Sequence, residues 1–204
     1  ATQGEESTRQ IDICLEHGIN FFDAADVYAA GRSEEILGEA LGKKRSRVTV
    51  ATKAFHRMGK GAHDVGLSRL HLVEACEASL RRLGTDWIDL YQVHSFDALV
   101  PPEETLRALD DLVRAGKVRY IGCSNFAGWQ LAKALGISKL EGLSAYIGQQ
   151  IQYSLVARSV EEELLPCGVD MGVGAIIWSP LAQGFLSGKF RGGLDAATRL
   201  EQMG

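Results

Sequence analysis

The chain has 204 residues, 46% of them apolar and 24% charged, enough for one domain (1–204) with a sizeable core. A net charge of −4 without a long basic run argues against nucleic acid as a partner, and no apolar run approaches the ~20 residues needed to span a bilayer. The four cysteines are scattered, with no Cys-x-x-Cys and no nearby histidine pair, which disfavours zinc and a disulfide framework and makes a reducing cytoplasm the expected setting.

A helix is predicted over residues 5–17, where Ile11, Cys14 and Leu15 recur at helical spacing and Gly18 provides a stop. The run at 19–23 follows as a strand expected to bury Ile19, Phe21 and Phe22 and to deliver Asp23 to its C-terminal end, with Tyr28 on the loop beyond. Ser33 reads as the N-cap of the next helix, with Glu34 and Glu35 in its first turn, an apolar stripe of Ile36, Leu37, Ala40 and Leu41, and Gly42 at its end. Residues 48–51 form the second strand, followed by Lys53. The stretch 55–67 has weak periodicity and reads as a loop. Residues 68–83 make a longer helix with Leu72, Cys76, Leu80 and Leu83 on one face, and 87–93 a strand ending at His94.

Pro101 and Pro102 open the next helix, where a missing N–H does no harm, and Leu106, Leu109, Leu112 and Val113 line its inner face. A strand at 118–123 leads into Ser124 and Asn125, and a short helix spans 129–135. A strand at 145–151 carries Gln149 and Gln150, and a weak helix at 155–165 stops near Pro166. The last strand, 173–178, exits through Ser179 and Pro180.

Strands and helices alternate at a spacing that suits βα units, and each strand is a nearly continuous apolar run, as in an α/β fold whose parallel sheet is covered on both faces. Two architectures fit, an open doubly wound sheet and a (β/α)8 barrel. Six strands leave the barrel two short of its eight.

Polar residues end nearly every strand: Asp23, Lys53, His94, Ser124 with Asn125, Gln150, and Trp178 with Ser179. In a parallel sheet these positions share one face. Singly, Asp23 could cap a turn, Lys53 could reach solvent and His94 could be a satisfied core histidine. Together they are costly to bury unless they pair. A Lys53 ammonium near Tyr28 favours the phenolate, Asp23 holds that ammonium charged, and His94 can donate to a carbonyl oxygen. The set suits protonation of an oxygen while a hydride reaches the attached carbon. Ser124, Asn125 and Gln150 suit a carboxamide, and Trp178 offers a face to a flat ring; together these describe nicotinamide. Rival motifs fail. Gly59-Lys-Gly61 and Gly172-Val-Gly174 lack the dinucleotide fingerprint, and Gly184 to Lys189 is one residue too short for a P-loop. Phe55, Phe96 and Phe126 follow strand exits and fit either a substrate wall or loop packing.

Six segments in order carry a resemblance: residues 18–28, 50–53, 80–94, 116–126, 150–155 and 178–189. The chain resembles the aldo-keto reductases over nearly its whole length, in a form most similar to bacterial and potassium-channel β-subunit-like branches. The resemblance implies the (β/α)8 TIM barrel, incomplete here, with the first and last strands absent. It implies a catalytic tetrad of Asp23, Tyr28, Lys53 and His94, with Tyr28 as general acid. It places the nicotinamide of NADPH on Ser124, Asn125, Gln150 and Trp178, and the pyrophosphate on a loop of Ser179, Pro180, Leu181, Gly184 and Leu186. The implied reaction is reduction of an aldehyde or ketone to an alcohol, with a small carbonyl compound as partner. A cofactor-binding accessory subunit and an inactive fragment are the alternatives. Substrate identity and oligomeric state stay open.

Overall fold

The computed structural model describes residues 4–190. Its elements alternate as helix and strand: α1 (Glu5–Glu16), β1 (Phe21–Asp23), α2 (Arg32–Leu41), β2 (Thr49–Ala54), α3 (Arg69–Leu83), β3 (Ile88–Val93), α4 (Pro102–Arg114), β4 (Val118–Ser124), α5 (Gly128–Glu141), β5 (Tyr146–Gln152), α6 (Leu164–Met171) and β6 (Gly174–Trp178). All neighbouring strands pair in parallel, in the order β1-β2-β3-β4-β5-β6. A doubly wound sheet reverses its strand order at a switch point and a barrel does not, so this order decides between the two architectures.

Alternation along each strand sorts residues to two faces. Val50, Ala54, Tyr91, Val93, Ile121, Cys123 and Tyr146 point outward into one core with Leu72, Cys76, Leu106, Leu109 and Leu131 of the covering helices. Asp23, Lys53, Gln92, His94, Ser124, Gln150 and Trp178 face inward, and a register shift between β4 and β5 sets Gln150 on the opposite face from Tyr146 although the two share a parity. The sheet is also curled. Six flat strands would hold the outermost two about 24 Å apart, yet Tyr28, beyond β1, and Trp178, at the end of β6, line the same cleft. The result is a half-barrel, an incomplete (β/α)8 barrel.

Several boundaries differ from expectation. β1 has three residues, and among the described residues only β2 pairs with it, so Ile19 and Phe21 stay exposed and Phe22 is half-buried. Ser33 does not cap α2. Gly31, at φ 93°, takes the cap position after left-handed Ala29 and Ala30, and Ser33 falls inside the first turn. Lys53 lies within β2 rather than after it. α5 runs on to Glu141 because Ala134 and Ser138 continue its buried stripe past Gly136, an interior glycine costing ~1 kcal/mol relative to alanine. Residues 155–165 hold a short 3-10 turn (Ser159–Glu161). The helix comes later, with Pro166 in its first turn, where no N–H is needed. Elsewhere expectation and structure agree closely, as for the helix expected over 68–83; the structure adds that the Ser68 hydroxyl accepts from the His71 N–H at 3.3 Å to cap α3 and that Gly84 ends it at φ 61°.

Candidate active site

Three successive strands bring the tetrad together. Asp23 ends β1, Lys53 lies one residue from the end of β2, and His94 follows β3. Lys53 is fully buried. Its ammonium donates to Asp23 Oδ2 at 2.6 Å and to the Ala24 carbonyl at 2.7 Å. The same Nζ stands 5.0 Å from the centre of the Tyr28 ring. Tyr28 meets His94 edge-on, with ring centres 5.7 Å apart. The Tyr28 N–H donates to the Ala25 carbonyl, and left-handed Ala29 and Ala30 then turn the chain into α2.

Burial and pairing set the charges. Burial pushes the Lys53 ammonium below the usual lysine range, and Asp23 opposes that shift. Burial, the Lys53 charge and His56 together push His94 down to about 4, so its imidazole is neutral across the physiological range. His94 Nδ1 is buried without a hydrogen-bond partner among the described residues. A neutral imidazole in this place can donate a hydrogen bond to an oxygen but has no extra proton to give as an acid.

The opposite wall comes from β4, β5 and β6. Tyr28, His94, Ser124, Asn125, Gln150 and Trp178 line a cleft of ≈ 230 Å³, room for one ring rather than a whole dinucleotide. The Ser124 hydroxyl and the Asn125 N–H both donate to the Gln150 carbonyl at 3.1 Å, and the Asn125 amide donates to the His94 carbonyl at 3.0 Å. Asn125 holds φ 57°, a left-handed conformation that asparagine tolerates better than most residues. Its side chain thereby bridges the two walls. The indole Nε1 of Trp178 is buried and unpartnered among the described residues. A flat heterocycle with a carboxamide fits this donor set.

Ser179, Pro180, Leu181, Gly184 and Leu186 do not line the cleft. They form a separate loop just past Trp178. Ser179, Ala182, Gln183 and Gly184 all have positive φ there, the kind of turn that gathers backbone N–H groups for an anion. Several of those groups are already satisfied within the loop: Gly184 and Leu186 N–H donate to the Leu181 carbonyl, and Gln183 N–H to the Ser179 hydroxyl.

Of the aromatic residues that follow strand exits, Phe96 and Phe126 pack edge-on with Trp129 and Tyr146. Phe55 meets His56 instead. Three residues near the site escaped the sequence reading. His56 stands edge-on to His94 with ring centres 4.7 Å apart, and its loop position carries no pattern that foretells this. Gln92 donates to Asp23 Oδ1 at 3.2 Å. The strand period of two puts it on the same face as His94, which was the available signal. Asp26, three residues after Asp23, is only 1% exposed, and neither carboxylate oxygen has a hydrogen-bond partner among the described residues. Behind it, Glu34 accepts from the Thr52 hydroxyl and from Arg82 Nε, each at 2.6 Å.

A sequence model of the Aldo/keto reductase family matches residues 1–203. The chain belongs to this family. It is 42% identical to a probable voltage-gated potassium channel subunit beta of Arabidopsis thaliana, covering 93% of this chain and 58% of that relative. It is 41% identical to the uncharacterized oxidoreductase YrpG of Bacillus subtilis, covering 92% and 61%. It is also 41% identical to the versiconal hemiacetal acetate reductase of Aspergillus parasiticus, covering 90% and 59%. The aldo/keto reductase chain described here thus spans about 60% of the length of these relatives. Among the described residues no helix is long and apolar enough to cross a membrane, and no group of His, Cys, Asp and Glu side chains is arranged to hold a metal ion.

Proposed function

We propose that this chain carries the catalytic half of a carbonyl reductase that converts an aldehyde or ketone to an alcohol, with NADPH as the reductant. The observation that carries the reading is the ion pair of buried Lys53 with Asp23 beside the Tyr28 ring, with neutral His94 against the ring's edge. The Tyr28 hydroxyl gives its proton to the carbonyl oxygen. The Lys53 ammonium favours the negative charge left on the phenolic oxygen, and Asp23 keeps that ammonium in place. His94 donates a hydrogen bond that orients and polarises the carbonyl. Ser124, Asn125 and Gln150 would hold the carboxamide of a nicotinamide and Trp178 would face its ring; the chemistry such a cofactor would supply when bound is the hydride. Ser179, Pro180, Leu181, Gly184 and Leu186 are the proposed pyrophosphate contacts.

Tyr28→Phe in the full-length gene product tests the role of the acid. Reduction of a model aldehyde is expected to fall by at least ~10²-fold, the usual contribution of a positioned acid, with cofactor binding retained. Wild-type turnover by the phenylalanine variant would remove Tyr28 from the proton step.

The relatives named as potassium channel subunits support a second reading, a cofactor-binding accessory subunit. Steady multiple turnover of aldehydes by the purified protein speaks against it. Negligible turnover, together with co-purification with a membrane protein, speaks for it.

A further inference from the structure

Asp23 ends β1, a strand of three residues that pairs with β2. Lys53 holds one oxygen, Oδ2. The other, Oδ1, is held from two strands away by Gln92 Nε2 at 3.2 Å. Gln92 is fully buried on the inner face of β3 and lies in register with Lys53, its Cα partner on β2. The carboxylate can only accept, so the amide must present its N–H₂ to it, which fixes the orientation of the Gln92 side chain. On the other side, Gln92 is in register with Gly122 of β4. A Cβ at Gly122 would stand 3.3 Å from Gln92 Cγ and 2.8 Å from the Gly148 carbonyl oxygen. The glycine leaves the space that the amide occupies. Asp23, Lys53 and Gln92 thus form one bonded set across three strands, next to Tyr28 and His94.

We propose that Gln92 is a positioning residue for proton transfer: it clamps Asp23 so that the Lys53 ammonium stays aimed at Tyr28. The inference rests on the roles proposed above for Tyr28 and Lys53. Gln92 touches neither substrate nor cofactor. Without its N–H donor the carboxylate is less stabilised and turns more readily, its hold on the ammonium loosens, and negative charge on Tyr28 becomes less favourable. Proton donation slows, and loss of the tyrosine proton moves to higher pH.

Two substitutions separate this role from simple packing. Gln92→Leu keeps most of the volume and removes the donor. Gln92→Glu keeps the shape and places a second carboxyl group against Asp23, where it restores a donor only while the pair shares a proton. The charged and titratable groups around the pair are Lys53 on β2, Tyr28 beyond β1 and His94 beyond β3, with Asp26 and Glu34 acting on Lys53 as well, and all five stay unchanged, so each variant is read against the wild-type profile. The assay is steady-state reduction of a model aldehyde by the full-length gene product across pH, with cofactor affinity read from tryptophan quenching by NADPH.

Gln92→Leu is expected to lower kcat about tenfold, the scale of one charge-assisted hydrogen bond. Its cofactor affinity is expected to match wild type, and its alkaline limb to move to higher pH. Gln92→Glu is expected to approach wild-type kcat on the acid side and to lose activity as pH rises, shifting the optimum to lower pH. If both variants keep the wild-type pH profile, even at lower melting temperature, Gln92 is packing alone and the proposal is overturned. Should the leucine variant not fold, the profile of the glutamate variant decides. Tyr28→Phe runs beside them. If it stays active, the underlying assignment fails. If it is inactive while the Gln92 variants match wild type in profile and kcat, only the positioning role fails.

Discussion

Asp26 is a buried acid with no side-chain hydrogen-bond partner and no ion pair among the described residues, and replacing it should make the protein more stable where that acid is ionised. Burial and the neighbouring Glu34 raise its pKa from 3.8 to about 7, partly offset by its own backbone contact at Val27 and by Arg82 and Lys53. The folded state therefore binds a proton that the unfolded chain has lost, and stability falls as pH rises from about 4 to about 7. A shift of about three pH units at ~1.4 kcal/mol each amounts to about 4 kcal/mol once the acid is fully ionised, before relaxation and water entry reduce it. Asp26→Asn has the same shape and no charge. It should exceed wild type by about 1 kcal/mol near pH 5 and by about 2–4 kcal/mol near pH 8. Urea denaturation of both proteins at the two pH values measures the difference. Contributions common to both proteins, His94 among them, cancel. An advantage that does not grow with pH would refute the idea that Asp26 is carried into the core at an electrostatic cost.

His94 works in the opposite sense. Its pKa falls from 6.5 to about 4 on folding, so the unfolded chain binds the extra proton and stability is lost as pH drops through that window; denaturation of His94→Gln should show a flatter acid limb than wild type. Gly38→Ala should destabilise strongly, because the new Cβ would stand 2.3 Å from the Leu83 carbonyl oxygen where α2 crosses α3, and thermal melts against Gly136→Ala, whose Cβ meets nothing within 4 Å, give the comparison. Arg82→Met should cost about 3–5 kcal/mol by leaving Glu34 buried without its cation, as measured by urea titration near neutral pH.

The residue sequence by itself determined the alternation of strands and helices and the set of polar residues at the strand exits. Both are local in origin. A parallel strand covered on both faces must be an unbroken apolar run, and the first polar residue after it marks the end that carries chemistry. Asp23, Lys53, His94, Ser124, Asn125, Gln150 and Trp178 were legible in that way. The ends of α2 and α5 were misread because capping by Gly31 and the packing of Ala134 and Ser138 outweigh the local signals at Ser33 and Gly136.

Tertiary structure alone decided the rest. Curling of the sheet brings Tyr28 across to Trp178, and no pattern within one strand encodes curvature. The bond from Gln92 to Asp23 joins residues 69 positions apart. The exposure of Phe21 follows from which neighbours β1 has among the described residues, not from its own apolar character. The burial of Asp26 depends on α2 and α3 closing over the turn behind the site. Burial and long-range pairing are properties of the assembled half-barrel, and so are the charge states on which the proposed chemistry depends.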